Sequence, residues 1–264
     1  MKKLAAGISY QGNNYCGWQS QKNIISIQEY VELALFKFSG EKIKIYCAGR
    51  TDAKVHALLQ VVHFYTDIKR SYRQWILGVN SYLPYDISIM WVIKVHNNFH
   101  ARYSAIAKKY LYLIHNNISR SGIFRKYCFN VFISLNINDM KKAAQKLIGK
   151  HDFSSFKGSE CQSKTTYRVI YYIRINKYKE YIFVEIKANS FLNHMMRNII
   201  GNLIEIGKGK KSKEWMSELL FLKNNKFSIF SADPKGLYLS NVYYPFYFNI
   251  PKFNFKLKNF LKIF

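Results

Sequence analysis

Apolar and polar positions along the chain lay out a regular series of elements. Leu4 to Tyr10 is a short apolar run that reads as a strand, and Gln11-Gly12-Asn13-Asn14 after it reads as a turn. Ser26-Ile27-Gln28-Glu29 is a capping box. The helix it opens carries Ile27, Tyr30, Val31, Ala34, Leu35 and Phe38 on one side, and ends at Ser39-Gly40, where glycine suits a left-handed cap. Lys42 to Ala48 alternates Ile43, Ile45 and Cys47 and predicts a strand. A second strand is predicted over Gln60 to Tyr65, a helix over Ser71 to Asn80, and a strand over Ile87 to Val95.

A similar set follows. Lys109 to His115 and Tyr127 to Ile133 read as strands, and Asn138 to Ile148 as a helix with Met140, Ala144 and Leu147 facing one way. Arg168 to Ile175 and Tyr181 to Lys187 predict a hairpin. A helix is expected from about Ser190 to Ile206, another capped by Ser212 and running to Leu222, and a last strand over Leu237 to Tyr243. Helices interleaved with hairpins predict an α+β fold with a mainly antiparallel sheet. The repetition predicts two related halves, residues 1–102 and 103–264, with a cleft between them. The Lys/Phe-rich tail from Pro251 to Phe264 reads equally as a packed strand or a frayed end.

Charge changes the picture more than length does. The 264 residues hold 41 Lys and Arg against 15 Asp and Glu, a net charge of +26. Such a surface attracts polyanions such as nucleic acid, although the Lys, Ile, Asn, Tyr and Phe abundance also fits an A/T-rich genome. Apolar residues make up 49%, enough for a core over most of the length. No apolar run approaches the ~20 residues of a membrane helix. The N-terminus makes a poor signal peptide, so a cytoplasmic protein is expected. Cys16, Cys47, Cys128 and Cys161 form no C-x-x-C pair and read as free, buried thiols in a reducing compartment. His96 and His100 have helical spacing but sit in a strand end and loop, so no metal site is expected there.

The most informative segment lies between two apolar strands: Ala48-Gly49-Arg50-Thr51-Asp52-Ala53-Lys54-Val55-His56-Ala57. Gly49 lets the chain turn, and Asp52, one of six aspartates, is held in the bend two residues from an arginine. From spacing alone this is an ordinary Asx-turn with a surface ion pair.

Gly49 to Ala57 resembles the G-R-T-D-A-G-V-H-A motif of the tRNA pseudouridine synthase A family. Further blocks resemble that family in the same order: Tyr15-Cys16-Gly17-Trp18-Gln19, Gln60 to Phe64, Phe99-His100-Ala101-Arg102-Tyr103-Ser104-Ala105, Lys108 to Tyr112, Lys187 to Asn198, and Gly236-Leu237-Tyr238-Leu239. The likeness spans nearly all of residues 4 to 245. Lys54 departs from the motif, which has glycine there. If that glycine takes positive φ, Lys54 is strained by ~1 kcal/mol or more, and its basic side chain is placed to touch RNA.

The resemblance implies a pseudouridine synthase fold of two RRM-like (ferredoxin-like) halves with joined sheets. It implies isomerisation of uridine to pseudouridine at positions 38, 39 and 40 of the tRNA anticodon stem-loop, without a cofactor, by a homodimer. Asp52 is then the nucleophile, since an aspartate is ionised at neutral pH and needs positioning and a counter-charge rather than a base. Arg197, off the apolar stripe of its helix, is expected to pair with Asp52, with Arg50 in support. Tyr110 is expected to stack on the uracil and receive the C5 proton, with Leu237 and Leu239 as the apolar floor. Lys108 and Lys109 are expected on the substrate. Lys22, Arg70, Arg120, Arg125, Lys126, Lys157, Lys164 and Lys208 to Lys211 are expected on phosphates that offset base flipping. Two other readings are a non-catalytic RNA-binding protein or tRNA chaperone on the same scaffold, and a sibling synthase acting at another RNA site.

Overall fold

A computed structural model describes residues 1–21, 24, 26–228 and 230–252. Lys22 and nearly all of the Lys/Phe-rich tail lie outside them. The chain forms two compact units, Met1–Ile106 joined by the segment from Tyr238, and Ala107–Leu237.

The first unit begins with β1 (Lys2–Tyr10), α1 (Ile27–Ser39), β2 (Tyr46–Cys47), β3 (His56–Thr66), α2 (Tyr72–Asn80) and β4 (Ile87–Lys94). This is the β-α-β-β-α-β order of a ferredoxin-like unit. β1 runs antiparallel between β3 and β4, and β2 pairs antiparallel with β3. The capping box at α1 forms as read: the Ser26 hydroxyl accepts from Glu29 N–H, and the Glu29 carboxylate accepts from Ser26 N–H at 3.2 Å. Gly40 closes the helix at φ 78. Ile27, Val31, Ala34 and Leu35 are buried, while Phe38 meets Trp75 of α2 edge-on at 5.1 Å.

The strand predicted over Lys42 to Ala48 shrinks to Tyr46–Cys47. Ile43 and Ile45 are buried as the alternation suggests, but the Ile45 amide donates to the Glu32 carboxylate of α1 (3.1 Å) rather than to a strand. The alternation recorded burial, which a coil can also satisfy.

The second unit contains β5 (Ala107–Asn116), β6 (Phe129–Val131), α3 (Ile137–Gln145), β7 (Gly149–Asp152), β8 (Tyr167–Tyr178), β9 (Tyr181–Ala188), α4 (Met195–Gly207) and α5 (Trp215–Leu222). Its strands order β5-β9-β8-β7, antiparallel where β5 meets β9, β9 meets β8 and β8 meets β7, and β6 adds in parallel to β5. The chain then crosses back: β10 (Leu237–Tyr243) pairs in parallel with β3, Tyr238 opposite His56 and Leu239 opposite Ala57.

The α4 helix starts at Met195, five residues later than Ser190. His194 at its cap is left-handed (φ 59), which no helix interior tolerates. Twelve of its thirteen residues are buried. The polar ones are satisfied inside. Asn198 donates to Phe156 O (2.9 Å), and Asn202 bridges Ser228 Oγ and the Trp215 indole N–H, both at 2.8 Å.

Candidate active site

The bend carrying Asp52 is held from below by a neighbouring loop. Ala48 N–H donates to Val61 O (2.8 Å), continuing the β2–β3 ladder by one residue before the chain leaves it. The buried Thr51 places its Oγ1 2.7 Å from the Tyr10 hydroxyl and its carbonyl accepts from Trp18 N–H (3.0 Å). Val55 N–H closes a turn onto Asp52 O (3.2 Å), and Lys54 N–H donates to Tyr15 O (3.3 Å). Asp52 is therefore flanked on both sides by residues whose main chain is tied to the Tyr15–Trp18 segment. Its own side chain is only half-buried.

The Tyr15–Trp18 segment is itself anchored. Gly17 and Trp18 carbonyls accept the first amides of α1, from Ile27 (3.2 Å) and Gln28 (3.0 Å). Gly17 has φ 92, and a Cβ there would stand 2.8 Å from Thr51 O and 3.2 Å from the backbone of Asp52 and Ala53. On the other flank, the buried His56 Nδ1 accepts from Gly12 N–H (3.2 Å) and its ring stacks on Tyr238 at 4.7 Å. Both residues lie in blocks that the sequence marks as family-like, but the contacts through which they support the bend come from tertiary proximity.

Lys54 does adopt positive φ (66°), as the motif glycine implies, and its side chain is exposed. Arg50 is exposed as well.

In the second unit, Tyr110 lies on β5 opposite Ile186 of β9, is 8% exposed, and meets Phe191 edge-on at 4.9 Å. Strand alternation puts Lys108, Tyr110 and Tyr112 on one face and Lys109 on the other. Lys109 forms an ion pair with Glu185 at 2.9 Å, with 12% and 18% of the side chains exposed. The two lysines expected on one substrate therefore face opposite ways. The Tyr112 hydroxyl donates to Asp233 O (2.6 Å).

Arg197 is the one residue of α4 that is not buried. Its Nε donates to Ala232 O (2.8 Å), and Ala232 N–H donates back to Arg197 O (3.0 Å), so side chain and main chain grip one residue. The close approach depends on Gly201 one turn on, where a Cβ would fall 2.1 Å from Phe230 O. Leu237 and Leu239 are both buried.

Among the other basic candidates, Arg70, Arg120, Arg125, Lys126, Lys164 and Lys210 are exposed. Lys208 is paired with Glu205 at 2.7 Å, and the Lys211 ammonium sits 3.8 Å from the Trp215 ring centroid. All four cysteines are free thiols, but they are not uniformly buried. Cys16 is exposed, because its Tyr15 and Gly17 neighbours take the inward positions. Cys128 is buried, and burial pushes its thiol up to about 11. Among the described residues, no group of three or more His, Cys, Asp or Glu could hold a metal ion, and no helix is long and apolar enough to cross a membrane.

Residues 6–104 and 143–245 match a family model described as tRNA pseudouridine synthase. Curated proteins named tRNA pseudouridine synthase A are similar along nearly their whole lengths. That of Pseudoalteromonas atlantica is 47% identical over 95% of this chain and 95% of its own. That of Colwellia psychrerythraea is 46% identical over 95% and 96%. That of Blochmanniella floridana is 47% identical over 96% and 100%.

Proposed function

Because the chain belongs to the tRNA pseudouridine synthase family, and so isomerises uridine to pseudouridine in tRNA, we propose that Asp52 is the nucleophile of that reaction. The observation that carries this reading is the loop geometry: hydrogen bonds on both flanks of Asp52 fix the main chain at a residue that is only half-buried. A nucleophile that needs no base gains most from such pre-positioning.

The reaction breaks the C1′–N1 bond, turns the uracil, and joins C5 to C1′. One proton leaves C5 and N1 gains one, so the atoms balance without a redox partner. The target base must leave its stack first, at a cost of a few kcal/mol. We assign the ring of Tyr110 to stacking on the uracil and its hydroxyl to the C5 proton. We assign Arg197 as the counter-charge of Asp52, with Arg50 in support and Leu237 and Leu239 as apolar floor. Lys108, on the Tyr110 face, is the better substrate contact of the two adjacent lysines. The exposed cations supply phosphate contacts that offset base extrusion. The expected targets are positions 38, 39 and 40, and the working form is a cytoplasmic homodimer.

The test is chemical mapping of pseudouridine in tRNA incubated with wild type and with Asp52→Asn. An isomerisation leaves mass unchanged, so derivatisation specific to pseudouridine is required. The variant is expected to bind tRNA and form no product; product formation by it removes the nucleophile assignment.

A further inference from the structure

The sheet of the first unit has a second face with its own chemistry. Phe64 of β3 meets Trp75 of α2 at 5.6 Å, so its neighbours His63 and Tyr65 point away from the helices. There the buried His63 ring stacks on Tyr46 (5.0 Å, 21° between planes) and meets His100 edge-on at 4.6 Å. Tyr103 lies over His100 at 4.3 Å and 32°.

The segment 99–104 locks these rings with its backbone. Ala101 N–H donates to His63 Nδ1 (3.2 Å), and the Arg102 and Tyr103 amides both donate to His100 Nδ1 (3.1 and 3.2 Å). His100 N–H donates to Ser104 Oγ (2.9 Å), and the Tyr244 hydroxyl donates to Ala101 O (2.6 Å). An Nδ1 that accepts a hydrogen bond belongs to a neutral imidazole. Burial, aided by His100 and Lys3, lowers His63 to about 4, and burial with Lys3 and Arg102 lowers His100. The histidine pair is therefore uncharged at neutral pH, and the positive charge around it is fixed in lysine and arginine.

The outer surface of the stack is open. Tyr103 is 76% exposed, Tyr65 41% and Tyr46 39%. Arg102 lies over the Tyr103 ring, 5.6 Å from its centroid, and Lys44 over the Tyr46 ring at 5.9 Å, both on exposed side chains that a base could displace onto its phosphates. Aromatic faces held rigid and bordered by cations are the pattern that takes an unpaired base with its phosphates. On a chain of +26 net charge, the complementary partner is a polyanion with π-faces.

We infer that the Tyr46–His63–His100–Tyr103 stack is a platform for an unpaired nucleobase of the tRNA substrate, with Arg102 and Lys44 on the adjoining phosphates. It is a binding element, apart from the chemistry assigned to Asp52. The inference rests on tRNA being the substrate.

Two RNAs separate the platform from that premise: full-length tRNA, and a short oligouridylate that offers only unpaired bases. Tyr103→Ala is expected to weaken both complexes about tenfold, with Tyr103→Trp restoring affinity and Arg102→Gln steepening the loss. Tyr85→Ala, which removes a fully exposed tyrosine elsewhere in the same unit, is expected to leave both affinities unchanged. Thermal melts of each variant identify any that fail to fold, in which case Tyr103→Trp against wild type and Arg102→Gln carries the test. Wild-type affinity of Tyr103→Ala for both RNAs overturns the platform. So does a change in its solution mass with RNA binding intact, which would make a second copy of the chain the occupant. A wild-type protein that forms no pseudouridine but whose oligouridylate binding depends on Tyr103 would overturn the assigned substrate and keep the stacking surface.

Discussion

The α-carbon of Gly17 faces the carbonyl oxygen of Thr51 so closely that a methyl group added to it would stand 2.8 Å away. The glycine also holds φ 92. Gly17→Ala therefore combines backbone strain with a clash, and is expected to cost roughly 1–3 kcal/mol. The strain falls on the support of Asp52. Turnover is expected to drop well beyond what the unfolded fraction explains, read by comparing thermal melts with single-turnover rates. Unchanged turnover would detach the Tyr15–Trp18 segment from catalysis.

Lys54 presents the converse case. Its φ of 66° costs a side-chain-bearing residue about 1 kcal/mol, and Lys54→Gly is expected to raise stability by about that amount in denaturant titrations. Its exposed ammonium lies two residues from Asp52, so the same variant is expected to bind tRNA less tightly at low salt. A gain in stability with unaltered binding would leave the lysine without a role on RNA.

Tyr110 and Tyr112 share a strand face. Tyr112 donates to Asp233 O, so Tyr112→Phe is expected to cost about 1 kcal/mol of stability and keep turnover. Tyr110→Phe is expected to keep tRNA affinity and to lose turnover. Undiminished pseudouridine formation by the second variant would remove the hydroxyl from the reaction.

His63 makes stability depend on acidity. Its folded value near 4 lies below the ordinary 6.5 because burial, His100 and Lys3 all disfavour the imidazolium. Between those values the unfolded chain binds more protons than the folded one, so stability rises with pH across that window. It is lost as pH falls from about 6.5 towards 4. His63→Gln, which keeps an acceptor for Ala101 N–H, is expected to flatten the slope of melting temperature against pH relative to wild type. A parallel slope would place the dependence elsewhere.

What the sequence made legible was local. Ser26 and Glu29 announce α1 because a cap is a contact between near neighbours. The Gly49–Ala57 motif marks the Asp52 bend for the same reason. β7 leaves no mark in the sequence because Gly149-Lys150-His151-Asp152 has no apolar alternation; it is a strand only through pairing with β8. The contacts that Gly17 and His56 make in support of the bend depend on tertiary proximity that no window of the chain contains, whereas the opposite facing of Lys108 and Lys109 follows from strand alternation alone.

The return of β10 to β3 bears on how the protein is made. A nascent chain released only as far as Ile106 possesses β1 to β4 and both helices of the first unit. It lacks Tyr238 and Leu239, the partners of His56 and Ala57 at the very exit of the Asp52 bend. The Asp52 bend is thus secured only once β10 has been made, long after its own residues have left the ribosome.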